Sequence, residues 1–348
     1  MAPLRFIHAA DLHLGRPFAG LSKSLPESAE LFLRAGYKAW ERIVATALDG
    51  NADFVTLAGD VFDNANPAVR PRVAFRDGVT KLHEAGIPVF LTLGNHDPLC
   101  DFPDALRSLP GLHLFGAEPE GREFAAHHMD RRVMIYGASF ERAAVRENLV
   151  RRFHRDPRAE IAIGVVHANV SGVSGHDDYA PCSLDDLRLA GMDLWCMGHV
   201  HLGTVLSEYP LILYAGTSQG AHVNETGARG CYVITVDGPG EAAAEFVPIA
   251  PVRWEKLELD VTDLSGEEDL LDALEDECGK LAPDDEGVEA VVARIHLKGH
   301  GTGQAQALAH GTSELADMLR ERLARLPIPV FAESIRDATL STIDLNAL

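Results

Sequence analysis

Cysteine is scarce in this 348-residue chain and poorly arranged for cross-linking: Cys100, Cys182, Cys196, Cys231 and Cys278 make an odd set with no C-x-x-C pair. That excludes a disulfide framework or a zinc ribbon and points to reduced, mostly buried thiols. Long apolar runs are also missing. No stretch approaches the roughly 20 residues that a membrane helix needs. The opening Met1-Ala2-Pro3-Leu4-Arg5-Phe6-Ile7 runs straight into a strand pattern without an apolar leader, so a cytoplasmic protein without membrane association is expected. Basic side chains are in deficit, with 31 Lys and Arg against 52 Asp and Glu and a formal charge of -21. A protein that grips nucleic acid through phosphates carries a basic footprint, and bound divalent cations would offset this imbalance only locally. Internal repeats, heptads and low-complexity segments are absent, which excludes solenoids, coiled coils and linker-rich architectures.

What is present is ordinary globular composition, 46% hydrophobic and 24% charged. The length exceeds what one core normally supports, so one large domain and a smaller appendage are expected. The chain is organised around Val55-Thr56-Leu57-Ala58-Gly59-Asp60-Val61-Phe62-Asp63-Asn64, an apolar run halted by a glycine and then a carboxylate. It reads as a buried strand delivering Asp60 to the rim of a sheet. Alone, an aspartate there is a turn residue or a helix cap. Four other strand-like runs end in the same manner. Residues 4–10 lead to Asp11 and His13, which are two apart and so point the same way in an extended segment. Val89–Leu93 leads to Gly94-Asn95-His96-Asp97, Ile161–Val166 to His167, and Met192–Met197 to Gly198-His199-Val200-His201.

Helical spacing over 27–49, with Leu31, Ala35, Trp40, Ile43, Val44 and Leu48 as the stripe, and over 71–85 places helices between the first strands. Further helices are expected at 141–153 and 183–190, and strands at 113–115 and 133–136. Strands at 211–215, 231–236 and 244–249 are expected to complete a second sheet, giving an α/β fold with a layered β-sandwich core flanked by helices. A long Gly/Ser/Asp-rich loop, 170–182, with His176, is placed to wall a cleft. Around Pro248–Pro251 the rhythm changes to β-α-β-α-β (254–261, 266–281, 288–297, 312–325, 328–335). This small C-terminal α+β unit sets the expected boundary, 1–250 and 251–348. The second part holds 9 basic and 21 acidic side chains and no catalytic constellation.

Collected, the rim residues are Asp11, His13, Asp60, Asn95, His96, His167, His199 and His201. Mixed carboxylate, amide and imidazole donors suit Mn²⁺, Fe²⁺ or Zn²⁺ and argue against a thiolate site or an all-oxygen calcium cage. Seven donors besides His96 are too many for one ion, whereas two ions sharing Asp60 would take four each and leave room for a phosphate.

The motifs Asp11-x-His13, Gly59-Asp60-Val61-Phe62-Asp63, Gly94-Asn95-His96-Asp97, His167 and Gly198-His199-x-His201 resemble, in order and spacing, the calcineurin-like metallophosphoesterase superfamily. Ala9-Ala10-Asp11-Leu12-His13-Leu14-Gly15 and the Gly59-Asp60-Val61-Phe62-Asp63 continuation are similar to the bacterial DNA repair exonucleases of SbcD and YhaO type, whereas Asp63-Asn64-Ala65 and Asp97 stand where the superfamily's protein phosphatases usually have Asp-Arg-Gly and Glu. The resemblance implies one metal on Asp11, His13, Asp60 and His201, and a second on Asp60, Asn95, His167 and His199. It further implies two ions per chain, most simply Mn²⁺, which lower the pKa of water and neutralise phosphate oxygens. His96 is the implied group that protonates the leaving oxygen. Asp63 or Asp97 would orient it or an inner histidine, the other reading of Asp97 being a turn cap. The implied activity is a DNA exo- or endonuclease working on ends in repair, with the C-terminal unit as a cap controlling DNA access. An SMC-like coiled-coil ATPase partner is implied too, and by analogy a homodimer through helices near 71–85 or 101–108. A phosphodiesterase for cyclic nucleotides or dinucleotides is the alternative, favoured by the acidic surface. A metal-binding scaffold without catalysis is a third reading, opposed by the complete ligand set and His96.

Overall fold

The computed structural model describes residues 2–18, 21, 28–126, 128, 131–170, 178–281, 287–300 and 312–339. They form two compact units. The first comprises Met1–Arg16, Leu33–Gln219 and Arg229–Ile249, and the second Pro17–Phe32, Gly220–Ala228 and Ala250–Leu348. Among the described residues no helix is long and apolar enough to cross a membrane.

The first unit holds two six-stranded sheets. One contains β1 (Leu4–Ala9), β2 (Phe54–Ala58), β3 (Val89–Thr92) and β4 (Leu112–Leu114), with β11 (Gly230–Gly238) and β12 (Glu241–Pro248), in the order β12-β11-β1-β2-β3-β4. The other contains β5 (Glu120–Phe124), β6 (Val133–Ala138), β7 (Ile161–His167), β8 (Leu194–Gly198), β9 (Thr204–Glu208) and β10 (Leu211–Tyr214), in the order β5-β6-β7-β8-β10-β9. Strands β1 to β4 run parallel, as do β6, β7, β8 and β10. Both faces of these central strands are covered, which is why they read as continuous apolar runs.

Side-chain alternation then sorts the core into three layers. Phe6, Phe54 and Phe90 of the first sheet meet Val133, Ile135, Ile163, Val165 and Leu213 of the second between the sheets. The opposite face of the first sheet, with Ile7, Val55, Leu57 and Leu91, packs under α1 (Ala29–Asp49) and α2 (Val69–Glu84) through Trp40, Ile43, Phe75, Val79 and Leu82. The opposite face of the second sheet buries Tyr136, Val166, Trp195 and Ile212 against Leu149, Phe153 and Leu187. Each such side chain contributes about 1.5–3 kcal/mol when fully buried. One polar tie crosses the middle layer: His8 of β1 contacts Thr56 Oγ1 through Nδ1 (3.1 Å) and the Met197 carbonyl through Nε2 (3.2 Å). Burial pushes its pKa down to about 4, so the ring is neutral and needs both partners.

The second unit has the anticipated β-α-β-α-β order. Strands β13 (Val252–Asp260), β14 (Ala290–Lys298) and β15 (Val330–Asp337) form a parallel sheet. After α3 (Asp104–Arg107) and α4 (Leu184–Leu189) of the first unit, the helices here are α5 (Glu267–Gly279) and α6 (Thr312–Leu323). Their apolar stripes, Leu270, Leu271, Leu274 and Leu315, Leu319, Leu323, share a core with Val291, Ile295 and Leu297. The residues that join this unit from earlier in the chain do so through aromatic packing. Phe18 stacks on Trp254, Phe32 meets Phe331 edge-on, and the Trp254 indole donates to the Gly220 carbonyl.

Three expectations are corrected. The 141–153 segment is not a helix. It is a looped stretch with one 3-10 turn, Val150–Arg152, because its apolar residues Leu149, Val150 and Phe153 dock as a cluster on the second sheet and do not form a helical stripe. Strands β11 and β12 belong to the first sheet, where β11 pairs antiparallel with β1 (Phe6 opposite Ile234), and only 211–214 joins the second. Edge strands β5 and β9 were not anticipated, since their exposed, polar sequences lack a buried face. His176 and residues 171–177 of the 170–182 loop lie outside the described residues.

Candidate metal centre

Five parallel strands deliver the rim residues. β1, β2 and β3 end just before Asp11 and His13, Asp60, and Asn95 and His96, while β7 ends at His167 and β8 just before His199 and His201. Carboxyl ends of parallel strands form a common edge, the place where open α/β sheets hold ligands. The two sheets bring the eight side chains together. His13 Nε2 and His201 Nε2 stand 3.1 Å apart, and His167 Nε2 is 3.1 Å from Asn95 Oδ1. Asp60 Oδ2 lies between the groups, 3.8 Å from His13 Nε2 and 3.5 Å from His167 Nε2. Asp11, His13 and His201 offer atoms within 4.8 Å of one another, as do Asp11, Asp60 and His167, and His13, Asp60 and His96. His199 stacks edge-on with His167 at 5.1 Å, and its backbone N–H donates to Asp11 at 3.2 and 3.0 Å. His96 is thus closer to the donor cluster than an outlying group would be, its ring 4.8 Å from that of His13.

Backbone conformation marks four of the same residues. Asp11 (φ 49°), His13 (φ 42°), Asp60 (φ 51°) and His199 (φ 101°) are left-handed without being glycine. Such conformations are costly and persist where surrounding structure imposes them, typically at functional sites. Here ladder-like hydrogen bonds impose them: Asp11 N to the Gly59 carbonyl (3.1 Å) and His13 N to the Asp60 carbonyl (3.0 Å). Gly94 has no room for a side chain, since a Cβ there would sit 2.2 Å from Asp60 Oδ1 and 2.8 Å from His167 Nε2.

The site is electrostatically incomplete as a set of protein groups alone. Burial and the charge of Asp60 raise the Asp11 carboxyl to about 7, against the opposing pull of His201. Burial lifts Asp60 to about 6, and burial with the Asp60 charge lifts Asp97 to about 7. His13 is held well below its usual value by burial and by neighbouring His201 and His96. Buried carboxylates beside neutral imidazole nitrogens are a donor set that a divalent cation satisfies and a proton satisfies poorly. Tautomers are aligned accordingly. His167 Nδ1 faces the Ala58 carbonyl at 2.9 Å, which leaves Nε2 as a lone-pair donor. His96 Nδ1 faces the Asp63 carbonyl at 2.7 Å in the same manner.

The two flanking aspartates make different contacts. Asp97 caps backbone, taking the N–H groups of Val61 (2.7 Å), Phe62 (3.3 Å) and Gly94 (3.0 Å), and so ties the Asp60 loop to the Asn95 loop. The Asp63 carboxylate lies 3.6 Å from His13 Nδ1. Sequence reasoning missed Thr217, whose hydroxyl donates to the Asp11 carbonyl at 2.8 Å, and Arg229, which donates to the His201 carbonyl. Thr217 follows β10 and Gly216, the same strand-glycine-polar grammar that marked the other rim residues. Arg229 leaves no comparable signal.

Residues 4–203 match the family model for calcineurin-like phosphoesterases. The chain belongs to that family. Its C-terminal part, 254–340, matches the middle domain of the metallophosphoesterase YhaO. The uncharacterized metallophosphoesterase YhaO of Bacillus subtilis (strain 168) is 35% identical over 356 residues, covering 99% of this chain and 85% of that protein. The DNA double-strand break repair protein Mre11 of Methanopyrus kandleri is 26% identical over 294 residues, covering 76% of this chain and 60% of that protein. The SbcD component of the nuclease SbcCD of Bacillus subtilis (strain 168) is 24% identical over 281 residues, covering 69% of this chain and 68% of that protein. As a calcineurin-like phosphoesterase of the YhaO type, the chain is a metal-dependent hydrolase of phosphate esters. Its grouped donors support a dinuclear divalent-metal site.

Proposed function

We propose that this phosphoesterase is a Mn²⁺-dependent DNA exo- or endonuclease that processes ends, with an SMC-like ATPase as partner. The position of Asp60 Oδ2 between His13 Nε2 and His167 Nε2 carries the reading, because one carboxylate between two donor groups suits a pair of ions. Asp11, His13, Asp60 and His201 would hold one ion, and Asp60, Asn95, His167 and His199 the other. Bound there, the ions supply Lewis acidity toward water and the phosphate oxygens.

The remaining work belongs to the chain. His96, anchored through Nδ1 on the Asp63 carbonyl, keeps Nε2 for proton transfer to the leaving oxygen. Asp63 orients His13, and Asp97 fixes the two loops that carry Asp60 and Asn95. The second unit acts as a cap on DNA access in this reading, and the protein works in the cytoplasm, as a homodimer. Similarity to Mre11 and to the SbcD component of SbcCD supports DNA as substrate.

The deciding experiment compares end-labelled DNA with defined ends and bis(p-nitrophenyl) phosphate in Mn²⁺, Mg²⁺ and chelator. Mn²⁺-dependent shortening of DNA is expected, with His96→Ala lowering turnover by about 10²- to 10⁴-fold while two metals per chain remain by elemental analysis. Turnover of small diesters with DNA left intact would replace the nuclease by a small-molecule phosphodiesterase.

A further inference from the structure

The acidic character of the chain is interrupted most strongly in one stretch. Residues 131–158 contain eight arginines against Glu141, Glu147 and Asp156, in a protein whose net charge is -21. Part of this segment lines a groove of about 470 Å³ together with Ala117 and Glu118. Inside the groove the charges sort themselves. Arg152 engages both Glu118 and Glu147, one positive charge held between two carboxylates. Arg142 and Arg146 form no salt bridge among the described residues and both are exposed, so two guanidinium groups stay unpaired in a lining that as a whole sets three arginines against three glutamates.

The groove is built onto the candidate metal centre from two sides. Ser139 in its wall accepts the Leu93 N–H at 3.0 Å, one residue before Gly94. The next residue, Phe140, meets the His167 ring edge-on at 5.5 Å. On the other side, Val145 accepts the N–H of Ala180 at 2.8 Å, and Ala180 is itself left-handed at φ 42°. That strained residue holds Tyr179, whose ring lies edge-on to His199 at 6.0 Å and carries the Arg146 guanidinium over its face at 5.5 Å. Cation-π contact fixes Arg146 without neutralising it. Its charge therefore stands two ring contacts outward from His199, the reach of a neighbouring phosphate and not of the one being cleaved.

We infer that the Arg142–Arg146 groove is a polyanion track that holds non-scissile phosphates of a nucleic-acid strand and so selects polymers over small phosphodiesters. The inference rests on the nuclease reading and specifies how a strongly acidic protein retains a strand. It is read from the double variant R142Q/R146Q, with R151Q, whose exposed guanidinium is engaged by Asp186, as the single-charge control. Two quantities are measured: the ratio of kcat/KM on a 30-nucleotide DNA to kcat/KM on bis(p-nitrophenyl) phosphate, and the slope of log affinity for that DNA against log salt. The double variant is expected to lower the ratio about tenfold and to remove about 1.4 from the slope, at roughly 0.7 per single-strand phosphate contact. If the parent protein cleaves DNA and the double variant keeps both ratio and slope, the track is refuted while the nuclease reading stands. If the parent hydrolyses the small diester but neither binds nor cleaves DNA, the nuclease reading falls and the track with it.

Discussion

At the scale of single residues, the centre is defined by what cannot be substituted. Gly94 faces both Asp60 and His167, and a methyl group 2.2 Å from Asp60 Oδ1 must displace the carboxylate shared between the two donor groups. Gly94→Ala is therefore expected to weaken Mn²⁺ binding by about 10- to 100-fold, the range for disturbing groups that orient metal ligands. Calorimetric titration with Mn²⁺ measures this, and circular dichroism checks that the fold persists. Proton linkage gives a second expectation at this scale. Asp11 sits near 7 and Asp60 near 6 without a cation, both raised chiefly by burial. Raised carboxyl values mean that below them the proton occupies the oxygens a cation needs, and above them it does not. Mn²⁺ affinity should thus be flat above about pH 7.5 and fall by about tenfold or more by pH 6. Protons should be released on binding at about pH 6.5, read as a buffer-dependent heat; a heat independent of the buffer's ionisation enthalpy would contradict it.

At the scale of elements, β7 and β8 show how tightly the supply lines of the site are packed. A Cβ on Gly164 of β7 would come 2.3 Å from the Trp195 ring of β8, and Trp195 is fully buried with its indole donating to the Leu187 carbonyl. Gly164→Ala is expected to cost about 1–3 kcal/mol through overpacking, seen as a lower denaturation midpoint with an unchanged denaturant slope. The same elements explain what could be read beforehand. Buried parallel strands announce themselves as apolar runs, and a glycine followed by Asp, Asn or His marks several of their exits, so β1, β2, β3, β7 and β8 and all eight rim residues were legible. Sheet membership was not. β11 alternates like any strand, and only the pairing of Ile234 with Phe6 places it beside β1. The 141–153 segment misled because its apolar residues serve a docking contact whose geometry is set by the sheet beneath, and local periodicity carries no record of that. The backbone strain at Asp11, His13, Asp60 and His199 was equally invisible, since only glycine advertises a left-handed conformation in sequence.

At the scale of the whole molecule, metal binding and folding should be linked, because the donors exist as a set only in the folded first unit. Saturation at about 100 times the dissociation constant adds about 2.7 kcal/mol per site. The melting temperature in Mn²⁺ is expected to exceed that in chelator by about 5 °C or more; equal melting temperatures would show that the donors do not bind ions appreciably. Charge is the other global property. A molecule this acidic repels polyanions at long range, so association with DNA should depend steeply on local features and on ionic strength.

One consequence follows from the division of the rim between layers. Asp11, His13, Asp60, Asn95 and His96 hang from one sheet, and His167, His199 and His201 from the other, with the Phe6, Phe54 and Phe90 layer as the spacer that sets their separation. The aromatic filling thereby acts as a gauge block for the chemistry above it. A change of thickness deep in the interior would be felt as detuned coordination at the edge, without any side chain of the centre having been touched.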